Sequence, residues 1–292
     1  MGQLNQKMNS AKAIRSLGYE VIRYLGSGAG STIWQVQDRR TYQVYALKCV
    51  EKRRVSEGRF IEQALNEGEV GMFFNHPTIR RIYQVRRVRR WLSLKEAHLV
   101  MEYCEGQTVQ ESRPESIGET LRIFSRVANA LWHMNSKGYV HADMKPNNII
   151  VAPDGTVKII DFGQSCTIGT IKARIQGTPD FIAPEQVYRR PLDGRTDVFN
   201  FGASLYWTLT GKPIPTVLPR QGSITVPAAP RIDPVESLNP DVPPALGRLV
   251  ADLIEIDPMR RPSSMNEVMS RLSLISYKLA KDNDGAHAPG NT

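Results

Sequence analysis

The amino-acid sequence predicts an α+β fold in two unequal lobes, a small antiparallel β-sheet with one helix followed by a mainly helical part. Three observations predict it. From Tyr19 to about Tyr103, short segments rich in β-branched and aromatic residues alternate in polarity, as half-buried strands do. One stretch inside that region, "SEGRFIEQALNEGEVGMFF", breaks the alternation and reads as a helix. From Glu105 onward, apolar residues recur at three- and four-residue intervals, the period of helices that bury one face.

The elements follow in chain order. "EVIRYLGSGAG" runs apolar and then turns glycine-rich, and "TIWQVQD" and "YQVYALKCV" alternate as strands. Ser56 is placed to open the helix that follows, and His76-Pro77 lies just beyond its end. "HLVMEYC" predicts a further strand. The first helix of the second lobe, "IGETLRIFSRVANALWHMNSKG", ends at a glycine, as does the apolar helix "DVFNFGASLYWTLTG". "LGRLVADLIEI" is amphipathic and stops at Asp257-Pro258. Residues 213 to 244 are proline-rich and aperiodic, so they are expected to form an ordered surface excursion. Residues 1–18 read as an N-terminal extension, 19–276 as one domain divided near 103/104, and 277–292 as a disordered tail.

Composition narrows the class. The 292 residues are 41% hydrophobic and 23% charged, ordinary for a globular protein. No run of about 18 apolar residues occurs, so no membrane span is expected, and the N-terminus has no apolar signal core. The three cysteines, Cys49, Cys104 and Cys166, are scattered and odd in number. They suit a cytoplasmic location and argue against a disulfide framework. The net charge of +9 owes much to "RRIYQVRRVRRWLSLK", where six arginines and one lysine meet no acid. A solvated face is the plain reading. A docking patch for an acidic partner across Arg80–Arg90 is the sharper one. No pattern of nucleic-acid recognition accompanies it.

Several groups suit phosphate chemistry. Gly26, Gly28 and Gly30 allow backbone amides to approach an anion without side chains in the way. Lys48 sits on a strand and calls for an anionic partner, which Glu67 on the next helix can supply. In "HADMKPNN", Asp143, Lys145 and Asn148 lie at short fixed offsets, and Asp161 ends the apolar strand of "VKIIDFG". Two carboxylates and an amide oxygen are hard donors, suited to Mg²⁺ carried by a phosphate substrate.

Taken in order, "GSGAGSTI", "YALK", "HADMKPNN", "DFG", "GTPDFIAPE", "DVFNFG" and "RRPS" resemble the protein kinase family, in its bacterial eukaryotic-like Ser/Thr branch, over residues 19 to 276. The resemblance implies the bilobal kinase fold, ATP and Mg²⁺, and Ser/Thr hydroxyls of proteins as acceptors. It implies that Lys48 holds ATP phosphates and pairs with Glu67, with Glu69 as the fallback, and that Gly26, Gly28, Gly30 and Ser31 cover the phosphates. Asp143 accepts the proton of the attacking hydroxyl, Lys145 stabilises the transferred group, and Asn148 and Asp161 take the metal. Met101 resembles the gatekeeper, Glu102 to Cys104 the hinge, and Ile33, Ala46 and Ile150 the walls around adenine. Glu185 and Arg261 resemble a structural ion pair. Lys145 and Thr178 together point to the Ser/Thr branch.

Three departures carry expectations. Ser31 stands where a third glycine is usual. Gly68 and Gly71 each cost a helix about 1 kcal/mol relative to alanine, so the helix bearing Glu67 is expected to be mobile and a point of control. Ala142 replaces an arginine that, in many members, binds a phosphate on the activation loop. A phosphate on Ser165, Thr167 or Thr170 therefore finds no partner at Ala142, and transfer is expected not to depend on it. A pseudokinase scaffold is the alternative function, but Lys48, Asp143, Asn148 and Asp161, whose loss marks such proteins, are all present.

Overall fold

Strands β1 (Tyr19–Gly28), β2 (Ser31–Asp38) and β3 (Val44–Glu51) form because their alternation offers one apolar face to a shared core. With β4 (Ile82–Arg90) and β5 (Ser93–Glu102) they make an antiparallel sheet in the order β1-β2-β3-β5-β4. The computed structural model describes residues 14–28, 30–52, 57–90, 93–215 and 232–286. The chain divides into two compact units, Met1–Glu105 with Ile160–Gly163, and Gly106–Ile159 with Gln164–Thr292.

In the first unit, Trp34, Val36, Leu47 and Val100 pack with Ile14 and Tyr19 on one side of the sheet. Helix α1 (Gly58–Phe73) lies against β3, β4 and β5, and buries Ile61, Ala64, Glu67, Gly68, Val70 and Gly71. Its N-cap is Glu57, which makes no side-chain capping bond, and the expected cap Ser56 lies outside the described residues. Two features go beyond the sequence reading here. The arginine-rich stretch is not merely a charged face but an edge strand, β4, paired to β5 from Ile82↔Met101 to Arg90↔Ser93. The glycines of α1 also have a packing role. A Cβ on Gly68 would lie 2.2 Å from Val85 Cγ2, and one on Gly71 would lie 2.5 Å from Ile82 Cδ1. They let helix and edge strand approach closely.

The second unit is built on helices α2 (Ile117–Ser136), α4 (Gly194–Thr210), α6 (Pro244–Leu253) and α7 (Met265–Ala286), with α3 (Pro184–Val187) and α5 (Val235–Leu238) as single turns. Ser116 caps α2 by accepting from Glu119 N at 3.1 Å, and Gly138, at φ +81°, follows its C-terminus. Asp193 caps α4 at 2.8 Å, and Gly211, at φ +72°, closes it. Phe124 of α2 and Phe201 of α4, both fully buried, meet edge to face at 5.3 Å, an arrangement that adds to their burial energy. The remaining strands are short: β6 (Gln107–Thr108), β8 (Ile149–Val151) and β9 (Val157–Ile159) form one sheet, and β7 (Tyr139–Val140) pairs with β10 (Cys166–Thr167). They hold the two ends of the loop carrying Asp143.

Two further expectations meet the structure at the C-terminal side. Of the proline-rich stretch 213–244, residues 216–231 lie outside the described residues, and the later part forms α5 with Val235 buried. The tail expected to be disordered from residue 277 is helical through Ala286, while 287–292 lie outside the described residues. Met265, Val268, Leu272 and Ile275 anchor the start of α7 in the core. Extending a helix that is already nucleated costs little, so the polar residues that follow continue it. No helix among the described residues is long and apolar enough to cross a membrane.

Candidate active site

In the first unit the charged groups converge around Glu67. This carboxylate is 1% exposed and accepts from two cations: Lys48 Nζ at 2.5 Å on Oε2 and Arg80 at 3.0 Å on Oε1. The register of β2, β3 and β5 aims Lys48 at α1, with Ile33 and Leu99 as its cross-strand neighbours. Burial pulls the Lys48 ammonium down, but the Glu67 and Asp161 carboxylates outweigh it and hold the group above its ordinary range. Asp161 adopts φ +67°, with its Oδ1 accepting from Gly163 N at 3.3 Å. Asn66 of α1 donates to the carbonyls of Phe162 and Gly163 at 3.2 and 3.3 Å, tying this short segment to the helix.

Arg80 is the residue that sequence reasoning placed wrongly. Read as the start of an exposed basic patch, it is 6% exposed and bound to Glu67. A buried arginine needs a paired carboxylate, and Glu67 supplies it from another element. The fallback Glu69 is exposed instead and pairs with Arg87 at 2.9 Å.

In the second unit Asp143 is held from both sides. Lys145 Nζ donates to its Oδ2 at 2.9 Å, and the Thr178 hydroxyl donates to its Oδ1 at 3.0 Å. Lys145 also donates to Thr178 Oγ1 at 2.8 Å, closing the triangle. Asn148 Nδ2 donates to the Asp143 carbonyl at 2.8 Å. That bond spends the nitrogen end of the amide and leaves its oxygen as the end a cation would meet. Behind the loop, Asp197 is fully buried and accepts from the backbone N–H groups of His141 at 3.0 Å and Ala142 at 2.9 Å, and from Asn135 at 2.8 Å. Burial nevertheless pushes its carboxyl above the usual range. The sequence motif "DVFNFG" that contains it implied no role for it. A carboxylate among the apolar residues of a helix that buries every side was the signal. Ala142 is also fully buried, at φ +62°, a left-handed conformation costly for alanine. Two opposed bonds keep it there: its N–H donates to Asp197, and its carbonyl accepts from Gln186 Nε2 at 2.7 Å.

The other predicted residues fall as follows. Gly28 pairs with Ser31 at the β1–β2 turn, where Gly30 has φ +71° and Ser31 is buried; Gly26 pairs with Ile33. Ala46 of β3 is buried and stands opposite Met101 of β5, also buried. Glu102 ends β5, and its carboxylate accepts from Arg81 N at 3.0 Å; Cys104 is half-buried, as is Ile150 on β8. Ser165, a candidate phosphate acceptor, is 1% exposed with its hydroxyl on the His141 carbonyl at 3.3 Å, so it is closed to modification in this fold. The Glu185–Arg261 pair is bidentate at 2.8 and 3.0 Å, and the same guanidinium stacks 4.8 Å from the Phe199 ring centre.

A strand lysine paired to a helix carboxylate, and a loop carboxylate flanked by lysine and threonine, are the contacts that the kinase resemblance implies. Comparison with known proteins agrees. The family model for the protein kinase domain matches residues 19–272. A probable serine/threonine-protein kinase of Clostridium acetobutylicum is 27% identical over 282 residues, covering 91% of this chain and 41% of that protein. The serine/threonine-protein kinase PknA of Mycobacterium tuberculosis is 28% identical over 253 residues, covering 84% and 57%. Sperm motility kinase 2A of Mus musculus is 33% identical over 201 residues, covering 66% and 38%. The chain belongs to the protein kinase family, and it spans about half the length of the curated relatives it matches or less.

Proposed function

We propose that the protein transfers the γ-phosphate of ATP to serine or threonine hydroxyls of other proteins. The observation that carries this reading is the closed triangle of Asp143, Lys145 and Thr178. Phosphoryl transfer asks a protein for positioning and charge stabilisation more than for covalent chemistry. Asp143 accepts the proton of the incoming hydroxyl. The Lys145 ammonium, already fixed on Asp143, offsets charge on the moving phosphoryl group. Lys48, held by Glu67, takes the α- and β-phosphates, under the turn formed by Gly26, Gly28, Gly30 and Ser31. Met101, Glu102 and Cys104 take the adenine edge, and Ile33, Ala46 and Ile150 its faces.

The oxygen end of Asn148 and the carboxylate of Asp161 are hard donors that fit Mg²⁺. When bound, the ion would neutralise phosphate charge. We place the protein in the cytoplasm, which the three free thiols support. The exposed arginines of β4, among them Arg87 and Arg89 but not Arg80, would steer an acidic partner. Rates on such a substrate should then fall with ionic strength, since salt screens exposed charges over about 8 Å. A flat salt profile would remove that partner.

The test of the main reading is ATP with Mg²⁺, a mixture of candidate protein substrates, and phosphosite mapping for wild type and Asp143→Asn. Wild type should place phosphate on Ser or Thr, and the variant should lose about 10²–10⁴-fold in kcat while still binding ATP. Equal turnover of the two proteins would refute it.

A further inference from the structure

The loop bearing Asp143 and the segment bearing Thr178 must be held together for the triangle to exist. The hydrogen bonds of the second unit identify one amide that does this. Gln186, in the single turn α3, is 3% exposed. Its Nε2 donates to the Ala142 carbonyl at 2.7 Å and to the Gln176 carbonyl at 3.1 Å. Its Oε1 accepts from Ala183 N at 3.0 Å and from Asn200 Nδ2 at 3.0 Å. Asn200, 1% exposed on α4, donates also to the Phe181 carbonyl at 2.6 Å.

Both donor hydrogens and the acceptor of the Gln186 amide are therefore used; three bonds reach separate pieces of backbone, at Ala142, Gln176 and Ala183, and the fourth comes from the Asn200 side chain. Ala142 is the residue immediately before Asp143. Gln176 lies two before Thr178, and Phe181 lies three after it. Ala142 has only a methyl side chain, so the tie to its backbone must come from elsewhere, and its left-handed φ turns the carbonyl into the reach of Gln186. These are buried neutral bonds, strong for their kind because water does not compete with them. They are made without any charge or added group.

We propose that Gln186, oriented by Asn200, is a positioning residue that clamps the Thr178 segment onto the Asp143 loop and so sets the reactive geometry before substrate arrives. This rests on the proposed phosphotransfer, which it deepens. Nothing in the clamp touches Lys48 or the residues Met101 to Cys104, so its loss should act on turnover and on protein-substrate binding while sparing ATP.

The experiment uses the full chain and two variants. Gln186→Glu keeps the acceptor oxygen for Ala183 and Asn200 but cannot donate to Ala142 or Gln176. Asn200→Ala removes the group that orients the amide and touches neither Asp143 nor Thr178. Steady-state kinetics are measured for ATP and for a protein substrate. Limited trypsin digestion of the nucleotide-free protein reports cutting after Lys172 and Arg174, which precede Gln176. The expected result is a fall in kcat of tenfold or more for Gln186→Glu and a smaller fall for Asn200→Ala. KM for ATP should stay within twofold in both, and cutting at Lys172 and Arg174 should be at least fivefold faster. Gln186→Glu working within twofold of wild type, or unchanged digestion in the variants, would overturn the proposal. Should Gln186→Glu not fold, Asn200→Ala decides by the same two readouts. Should wild type transfer no phosphate, the phosphotransfer reading fails, and the digestion pattern still judges the clamp.

Discussion

Replacing Glu67 by glutamine preserves the shape of α1 and deletes one negative charge between two buried cations. Glu67 is 1% exposed, and the side chains of Arg80 and Lys48 are 8% and 17% exposed, so solvent screens little of the change. At an effective dielectric constant of about 20, opposite charges about 4 Å apart attract by about 4 kcal/mol. Most of that attraction is spent on desolvating the ions, so the net figure comes from removing one partner. Breaking a buried pair costs about 3–5 kcal/mol because the other charge is left unmatched. Here one deletion leaves Arg80 unmatched and Lys48 with the Asp161 carboxylate alone. Glu67→Gln should therefore destabilise the first unit by about 3–5 kcal/mol, a fall of about 6–20 °C in Tm at about 2–4 °C per kcal/mol. Arg80→Met removes a cation and its desolvation cost together and leaves the Lys48–Glu67 bond in place, so it should cost less than half as much. The sign of the double variant is the decisive point. Removing Arg80 from a chain that already lacks Glu67 relieves a stranded charge, so Glu67→Gln/Arg80→Met should be more stable than Glu67→Gln alone. Thermal unfolding, with amide hydrogen exchange on α1 and β3 to localise the effect, measures all three. A double variant less stable than Glu67→Gln would refute the reasoning that Arg80 is held by charge.

Three other outcomes follow from particular contacts. Gly71→Ala should raise the intrinsic helix propensity of α1 by about 1 kcal/mol, yet destabilise the protein by about 1–3 kcal/mol because the new methyl meets Ile82; urea unfolding decides the sign, and Ile82→Val should recover part of the loss. Burial, with Glu96 nearby, pushes the Cys49 thiol up to about 12, so alkylation at pH 8 should label Cys104 well before Cys49, and ATP should slow labelling at Cys104 if the hinge assignment holds. Full dephosphorylation, checked by mass spectrometry, should leave the initial rate on a protein substrate within tenfold of the phosphorylated form, because Ser165 is buried and Ala142 offers no donor to a phosphate on Thr167 or Thr170; a larger drop would show that another group reads that phosphate.

Much of this architecture was legible in the sequence where a group's chemistry and its neighbours' pattern agree. Lys48 and Glu67 stand on elements with clear strand and helix periods, and the kinase resemblance, through the interval usual in that family before the His-Pro pair, favoured Glu67 over Glu69. Strand β4 was hidden because arginines occupy positions where a core strand shows apolar residues. It needs few of those, since an edge strand packs one face only, and Ile82 and Val85 suffice against two glycines. Arg80 was hidden in the same run: charge marks a surface unless a partner is known, and its partner lies on another element. Gln186 and Asn200 were illegible in a different way. They bond to backbone carbonyls and amides, which every residue carries, so no residue pattern announces the match. The tail beyond residue 277 misled for a related reason, because its own composition is polar while the helix it continues, α7, is anchored earlier at Val268 and Leu272.

The two glycines of α1 have one more consequence, which concerns alignment. An ion pair is forgiving: its energy changes gently over several tenths of an ångström, and a lysine on a long stem can follow a moving carboxylate. A hard contact is not forgiving, since a side chain driven into Ile82 or Val85 meets repulsion at once. Gly68 and Gly71 form two notches in the helix, and Val85 and Ile82 are the teeth that enter them. Sliding α1 by one residue would bring Val70 or Met72 onto those teeth. The helix is thus indexed to the sheet by the absence of two side chains, and Glu67, next to the first notch, inherits its position from that index.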